Sequence, residues 1–503
     1  MKREAKNIVS LIPKVDYADV RIIEKESQNI ATKDGVVEAL ESSTSLGYGI
    51  RVLKDGAWGF AGSNDFTKRG IERTIKRAVE IAESSARHKL EDVELARQTP
   101  IKATYRTPIK EDPFKVPLEE KLELLLAADN AQRVDPRIVI SQTSFSAHRE
   151  HKTFASTNGS LIEQEIVWTG AGLEASATGE GDFQNRSYPN SHGGQFATRG
   201  YELVWELDLV GNAPRVGEEA VKLLDAPLCP TGEYDIILDS NQLALQIHES
   251  CGHAAELDRV LGYEASYAGT SFLTPEKLGK FRYGSRIVNL TADATIPGGL
   301  GTFGYDDEGV PAQRTFLVKN GIFMDYLTSR ETAVYLDKIL RKSRKGPSRV
   351  GEPRRRSNGT MRATGWEYIP LIRMTNVNLE PPSASSGPSA WKLEDLIADT
   401  KRGVFMSTNK SWSIDDRRLN FQFGTEIGWE IKNGKLGKIL KNPTYQGMTP
   451  KFWRSCDAIC GKDEWIVWGT PNCGKGQPSQ VMYTGHGASP ARFRKVKVGV
   501  VKW

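Results

Sequence analysis

Cysteine is scarce in this sequence, with five residues in 503. A sparse and odd number argues against a secreted protein held together by disulfides, and it fits a reducing cytoplasm in which thiolates are free to bind metal. Long apolar runs are lacking too. No stretch approaches the ~20 apolar residues of a membrane-spanning helix, and no apolar signal-peptide core follows the basic N-terminus. We therefore expect a cytoplasmic protein without a membrane segment.

A large excess of one charge is also missing. The 68 Lys and Arg residues nearly balance the 63 Asp and Glu residues, so the formal net charge is only +5. This value does not by itself suggest nucleic acid or an anionic membrane as a partner. The hydrophobic fraction of 39% is that of a globular protein. Since the chain is longer than one compact core usually allows, two or more domains are expected.

Turn and helix patterns make the first part of the chain a smaller α/β domain. The pairs Asp34-Gly35 and Asp55-Gly56 predict hairpin turns, and the run 18–23 alternates like a half-buried strand. Apolar spacing predicts helices over 68–86, 118 to about 134, and 213–224. We assign this domain to 1–225, in two segments of about 1–110 and 111–225.

The remainder, 226–503, differs from the first part in its sequence pattern. Two prolines and a glycine in 225–232 mark the boundary. Beyond one helix near 241–257, glycine turns at 319–321 and 432–434 separate short strand-like runs. The sequence therefore predicts an α+β fold in which a larger, β-rich C-terminal domain carries one metal-binding helix.

The basic segment 341–362 stands out by charge, with nine Lys and Arg residues and little apolar content. Blocks of like charge are usually solvated loops, and we favour that interpretation. The alternative is a lid or a loop that contacts an anionic ligand.

The strongest chemical signal is the run His248-Glu-Ser-Cys-Gly-His253. Zinc hydrolases need neutral imidazole ligands, an open position for water and a nearby carboxylate that accepts the proton of that water. His248 and His253 can supply the ligands, and Glu249 can act as general base. Two unrelated histidines on an amphipathic helix are the simpler alternative.

The five-residue spacing of these histidines is unusual. In a straight α-helix, positions i and i+5 lie roughly 140° apart around the axis, too far to share one metal ion. A π-type turn would bring them to within about 50° and is typical of functional sites. We therefore predict a widened turn at 250–253, eased by Gly252.

A third ligand must come from elsewhere in the chain. The candidates are Glu256, Cys251, Cys456, Cys460, Cys473 and His486. Cys473 lies in a glycine-rich loop that could expose a thiolate. Cys456 and Cys460, spaced C-x3-C, could hold a second metal or form a disulfide, or could be ordinary core thiols.

Several motifs together resemble the TldD/PmbA metallopeptidases. The H-E-x-x-x-H run is similar to the signature of that family. Three later runs match in order: Gly304–Arg314 with its D-D-E-G, Ile369–Asn376 with its P-x-x-R-M-T-N, and Asn472–Lys475 with its C-G-K. The N-terminal run through Asp34-Gly35, Gly47-Tyr-Gly49 and Gly59-Phe60 is similar as well, so the resemblance covers nearly the whole chain.

The resemblance implies zinc held by His248, His253 and Cys473, with Glu249 as general base. It further implies a two-domain subunit, dimers with an enclosed active site, proteolysis of unfolded or flexible peptides and an older link to DNA gyrase control. Chains that keep the histidine motif resemble the catalytic TldD type, which forms a homodimer or pairs with a PmbA-like subunit.

Two other functions are compatible with the sequence. One is a non-catalytic regulatory subunit with a vestigial or structural metal site. The other is a nucleic-acid-associated modulator that uses 341–362, which is disfavoured because no aromatic residues are interleaved with its basic ones. For Asp306, Asp307 and Glu308 we favour a role in a turn over a place beside the metal ligands.

Overall fold

A computed structural model describes residues 1–343, 356–382 and 391–499. The fold is α+β, as predicted, and its C-terminal part is rich in strands. Most of the basic segment, 344–355, lies outside the described residues. Of its ends, Arg341 belongs to a helix, and Arg362 is buried within a strand rather than solvated. Within the described residues, no helix is long and apolar enough to cross a membrane.

The N-terminal part is built on one twisted sheet. Its elements are α1 (Lys2–Leu11), β1 (Tyr17–Lys33), β2 (Val36–Lys54), β3 (Ala57–Ser63), α2 (Lys68–Ala86), β4 (Lys102–Arg106), α3 (Leu118–Ala131), β5 (Ile138–Ser156), β6 (Leu161–Gly179), β7 (Asp182–Tyr188), β8 (Gln195–Ala197), α4 (Glu202–Leu207) and α5 (Leu209–Asp225). The strands run in the order β3-β2-β1-β5-β6-β4, and β7 and β8 both pair with β6. Both Asp-Gly pairs form the predicted turns, between β1 and β2 and between β2 and β3.

The predicted helices cover this sheet. Helix α2 has the predicted bounds, Lys68–Ala86, and Thr67 caps its first turn by accepting from the amide of Gly70. Its apolar stripe packs against β2 and β3. Helices α3 and α5 pack on β5 and β6 in a second core. Helix α3 begins at the predicted residue and ends at Ala131, whereas α5 begins at Leu209, before its predicted start.

The C-terminal part consists of smaller sheets around a central helix. Its elements are β9 (Gly232–Leu238), α6 (Ser240–Ile247), α7 (Leu257–Val260), α8 (Ala265–Ala268), β10 (Leu290–Asp293), β11 (Arg314–Lys319), β12 (Ile322–Phe323), α9 (Arg330–Ser343), β13 (Met361–Arg362), β14 (Leu371–Ile372), β15 (Val377–Leu379), α10 (Leu393–Ala398), β16 (Arg402–Ile414), β17 (Asn420–Lys432), β18 (Lys435–Lys441), β19 (Thr444–Met448), α11 (Thr449–Arg454), β20 (Cys456–Ile459), β21 (Ile466–Lys475), β22 (Gln480–Ala488) and β23 (Ala491–Val498). The largest sheet of the C-terminal part has the order β16-β9-β23-β19-β17-β18, with β20 paired to β23.

The apolar side chains of α6 are enclosed by these sheets in the largest core of the molecule. Helix α5 ends at Asp225 and β9 begins at Gly232, so the proline-containing segment connects the two parts. The division into 1–225 and 226–503 itself stays a prediction. Strands β21 and β22 form a separate antiparallel ribbon that approaches α6 and β8.

The strand predicted to be half-buried is buried on both faces, which corrects that expectation. Asp19 and Arg21 on β1 are fully buried, because the C-terminal part covers the face of the sheet opposite α2. Arg21 donates to Asp307 (Nη1–Oδ2 3.2 Å) and to the carbonyl of Tyr368 (2.6 Å). The ring of Trp366 lies so close to Gly47 that any Cβ there would collide with it, which explains the glycine in this run.

The run Asp306-Asp-Glu308 does more than form a turn. Asp306 has the expected turn role, since it accepts from the amides of Glu308 and Val310. Asp307, however, pairs with Lys152 (2.6 Å), and Glu308 pairs with Arg51 (3.3 Å). These buried ion pairs join the C-terminal part to the N-terminal sheet. Turn chemistry alone therefore does not account for this motif.

Candidate metal centre

The histidine motif lies where helix α6 changes its pitch. Asp239 caps α6 by accepting from the amide of Ser240 (2.7 Å). The helix continues as a π-turn over His248–Gly252 and a 3-10 turn over His253–Ala255. The predicted widening is thus present, starting two residues earlier than expected. As a consequence, the rings of His248 and His253 come within 4.8 Å of each other, measured between centroids.

Cys473 completes a cluster of three side chains that could hold a metal ion. The ligand atoms of His248, His253 and Cys473 all lie within 4.8 Å of one another. Cys473 Sγ is 3.6 Å from His253 Nε2. All three residues are at most 5% exposed. Within the described residues, this is the only group of three or more His, Cys, Asp or Glu side chains with that proximity.

Hydrogen bonds fix the tautomer of both histidines. His253 Nδ1 lies 2.8 Å from a carboxylate oxygen of Glu256 and therefore carries the proton that it donates. His486 Nδ1 faces the carbonyl of Val377 at 3.1 Å, so His486 Nε2 is an acceptor for His248 Nδ1 at 2.7 Å. Both histidines thus keep a lone pair on Nε2. This arrangement fits a metal ion, because ligand imidazoles typically donate their other nitrogen to a protein acceptor.

The surroundings of the Cys473 thiol lower its pKa. Burial on its own raises its pKa, but the charge of Arg373 and the contact with His253 hold the pKa below its usual value. Burial instead raises the pKa of Cys251 to about 12 and that of Cys456 further. A thiol pKa that is lowered rather than raised distinguishes Cys473 from Cys251 and Cys456 as a cysteine suited to bind metal.

The other candidate ligands have different positions. Glu256 and His486 lie behind the histidines as hydrogen-bond partners. Cys251, Cys456 and Cys460 are buried in apolar clusters. Cys456 and Cys460 are free thiols, so the disulfide considered from the sequence is wrong. Their spacing reflects ordinary core positions.

Glu249, the candidate general base, is held by an arginine that sequence reasoning missed. Arg418 Nη1 donates to Glu249 Oε2 at 2.6 Å, and both side chains are largely buried. Burial on its own raises the pKa of Glu249, but the electrostatic interaction with the nearby histidines and with the Arg418 guanidinium brings the pKa below its usual value. Arg418 lies in the turn between β16 and β17 with a φ of +60°. Nothing in the local sequence pairs it with a residue 169 positions away.

Lys475 connects the cysteine strand to the histidine helix. Its buried ammonium contacts Asp258 (2.8 Å) and Glu256 (3.3 Å). Beside this group, the buried guanidinium of Arg259 pairs with the carboxylate of Glu264 (2.9 Å). Because Glu256 also binds His253, the C-G-K motif positions both a thiol and an imidazole. The sequence singled out the lysine by resemblance but gave no indication of this role.

The run Arg373-Met-Thr-Asn376 passes between the two ligand-bearing elements. Arg373 Nη2 donates to the carbonyl of Cys473. The sulfur of Met374 lies 1.9 Å from the position that a Cβ on Gly252 would occupy. The glycine that the sequence assigned to helix distortion is therefore also required by packing.

Three domain models of one protein family match most of the chain. Residues 231–499 match the C-terminal domain of the PmbA/TldA metallopeptidases. The chain belongs to the PmbA/TldA metallopeptidase family. Domain 1 of this family matches 18–82, and its central domain matches 111–226.

Relatives cover almost the whole chain. A metalloprotease of Methanocaldococcus jannaschii is 32% identical over 466 residues, which are 91% of this chain and 94% of that protein. A zinc metalloprotease TldD homologue of Saccharolobus solfataricus is 23% identical over 96% of each chain. The crystal structure of TldE from Thermococcus kodakarensis has a TM-score of 0.67 at 16% identity, and it covers 99% of this chain and all of that one. The first likeness, at 32% identity, supports the place of the chain in this metallopeptidase family, and the last supports the fold alone.

Proposed function

We propose that the protein is a zinc-dependent peptidase that hydrolyses unfolded or flexible peptides in the cytoplasm. The observation that carries the proposal is the approach of the His248, His253 and Cys473 ligand atoms to within 4.8 Å, beside the carboxylate of Glu249. Two imidazoles and a thiolate suit zinc and leave a position open for water. The zinc metalloprotease among the relatives supports the choice of metal.

The residues around the metal position divide the chemistry between them. Zinc bound there would polarise a peptide carbonyl and lower the pKa of a water molecule toward ~7. Glu249 accepts a proton from the attacking water and passes it to the leaving amine. Arg418 holds the Glu249 carboxylate in place through a hydrogen bond of 2.6 Å. Glu256 and His486 keep the imidazoles neutral and oriented.

The burial of the candidate metal centre favours substrates that are flexible. Glu249 and the three ligands are 4–6% exposed, so only a thin, extended chain can bring a peptide bond to them. An extended peptide can dock by adding a strand to a sheet edge, which tolerates many sequences because backbone groups make the contacts.

The experiment that tests the function compares Glu249→Gln with wild type for metal content and for cleavage of an unstructured peptide. We expect one zinc per chain in both, with cleavage reduced by roughly 10²–10⁴-fold in the variant. Glu218→Gln, on the exposed face of α5, is the matched control and keeps full activity. Equal turnover by Glu249→Gln would contradict the assignment of the base. Bound zinc without cleavage in wild type would favour the non-catalytic regulatory subunit instead.

We further propose that the chain acts as a dimer, with itself or with a PmbA-like subunit. Sedimentation of the purified chain distinguishes these assemblies, because a homodimer forms without a second protein. A chain that is monomeric alone and becomes active only when a PmbA-like subunit is added would support the heterodimer.

A further inference from the structure

A groove opens in the C-terminal sheet where β19 and β23 separate. The two strands pair at Tyr445 with Val498 and at Gln446 with Lys497. Beyond Gln446, β19 continues along β17, whereas β23 pairs with β9 and β20. The space between them is a cavity of about 830 Å³. A second cavity of about 660 Å³ adjoins it and shares Met448 and Lys451 in its lining.

The groove, defined as these two cavities, is strongly basic. Its lining cations include Lys277, Arg417, Lys451, Arg454, Lys495 and Lys497. Among the described residues that line it, Glu233 is the only carboxylate. Arg494 also lines it, but Asp235 (2.7 Å) and Asp457 (2.6 Å) compensate its charge. In a chain whose charges nearly balance, this local excess selects an anionic ligand.

The floor of the groove is apolar. It consists of Phe421, Phe452 and Val496, each about nine-tenths or more buried. At the junction of the two cavities, the side chain of Met448 is 46% exposed. Phe421 and Phe452 pack edge to face at 5.2 Å. These rings are therefore engaged in the core and do not present open faces on which nucleic-acid bases could stack.

We propose that this groove binds an extended acidic segment of a peptide. Carboxylates of the peptide would pair with the basic rim, and an apolar side chain of the peptide would contact the exposed Met448. The separation of β19 from β23 gives an extended chain room to lie alongside β-structure. A combined opening of this size suits several residues of such a chain. The site is separate from the metal centre, and its binding does not depend on catalysis.

One turn connects the groove to the candidate base. Arg417 lines the groove, and the next residue, Arg418, contacts Glu249 at 2.6 Å. Two backbone hydrogen bonds also hold this turn. The amide of Thr270 donates to the carbonyl of Asp416 (2.8 Å), and the amide of Phe272 donates to the carbonyl of Arg417 (2.9 Å). A peptide bound along the basic rim therefore reaches the turn that holds Glu249. Acidic peptides bound there would be favoured as substrates.

The test measures binding without turnover. A fluorescently labelled, unstructured peptide of alternating Glu and Phe is titrated with the full chain in the presence of a chelator, and anisotropy is recorded. We expect Lys451→Glu/Lys497→Glu to weaken binding by about tenfold or more, because like charges then face the peptide. Lys435→Glu/Lys438→Glu, exposed on β18 away from the groove, makes the same charge change and should bind as wild type does.

Each other outcome overturns the proposal. Equal weakening by both pairs of substitutions would show that only net charge matters. Tighter binding of a single-stranded oligonucleotide, lost with Lys451→Glu/Lys497→Glu, would assign the groove to nucleic acid. If the double charge reversal fails to fold, as judged by circular dichroism, Lys451→Gln/Lys497→Gln takes its place, and unchanged affinity in that variant refutes the proposal. Because no cleavage is measured, the result is independent of the peptidase assignment.

Discussion

His486 Nε2 lies 2.7 Å from His248 Nδ1, although the two residues are 238 positions apart. The sequence offered His486 as a possible third ligand, whereas the structure places it behind His248 as a hydrogen-bond acceptor. Its own Nδ1 is held by the carbonyl of Val377. A chain of two hydrogen bonds thus runs from the backbone of β15 to the Nε2 lone pair of His248. Partners of this kind orient ligands and raise metal affinity.

Replacement of His486 should therefore weaken metal binding without abolishing it. In His486→Leu the Nδ1–H of His248 has no acceptor, and we expect zinc affinity to fall about 10–100-fold. His486→Gln supplies an amide oxygen and should restore much of that loss. Competition with a chromophoric chelator measures both affinities. His88→Gln, an exposed histidine, is the control. A complete loss of metal in His486→Gln would instead indicate that His486 is a direct ligand.

Replacement of Cys473 tests the thiolate ligand. We expect Cys473→Ser to retain only a small fraction of the metal, because a serine hydroxyl is a poor ligand for zinc near neutral pH. In the cobalt-substituted wild type a thiolate-to-metal charge-transfer absorption should be present, and it should be missing in the variant. Cys456→Ser, which changes a thiol in the apolar core, should keep both metal and absorption. The opposite pattern would assign the third ligand to Cys456.

The contact between Gly252 and Met374 predicts a specific double-mutant result. Gly252→Ala places a Cβ against the sulfur of Met374, and such overpacking typically destabilises by about 1–3 kcal/mol. Metal affinity should fall as well, because the displaced turn carries His253. Met374→Ala removes the clash, so the double variant should regain affinity relative to Gly252→Ala. Thermal unfolding and metal titration of all four proteins check this, and strictly additive effects would contradict it.

The buried carboxylate of Asp307 predicts how stability depends on pH. Burial on its own raises its pKa, but the charges of Lys152 and Arg21 hold the pKa below the usual value. Since the folded pKa is depressed, the stabilisation is present above the unfolded pKa and is lost as pH falls through the folded value. In Asp307→Asn, stability should therefore fall less steeply as the pH is lowered into the acidic range.

At neutral pH, Asp307→Asn should also destabilise the protein by about 3–5 kcal/mol, because two buried cations lose their partner. Midpoints of thermal unfolding between neutral and acidic pH measure both effects. Asp92→Asn changes an exposed carboxylate that pairs with Lys89 on the surface and should alter the curve little. An unchanged acid limb in Asp307→Asn would show that this pair does not link stability to pH.

The sequence by itself determined the elements whose signals are local. The Asp-Gly turns and helix α2 follow from turn chemistry and apolar spacing, which act over a few residues. The π-turn followed from a stereochemical requirement, because two histidines five positions apart can share a metal only on a widened helix. The motifs gave the family and its metal-binding residue types. Their roles as ligands, the domain boundaries and the partners stay predictions until they are tested.

The tertiary structure alone decided which distant side chains meet. It placed Cys473 beside His253 and left the C-x3-C thiols in apolar cores. It also set Arg418 against Glu249 and Arg21 against Asp307, across separations of 169 and 286 residues. Pairs of this kind leave no periodic trace in the sequence, because a buried charge is stabilised by whichever opposite charge the fold brings to it. Motif spacing therefore indicated the metal chemistry, and long-range packing selected the residues that surround it.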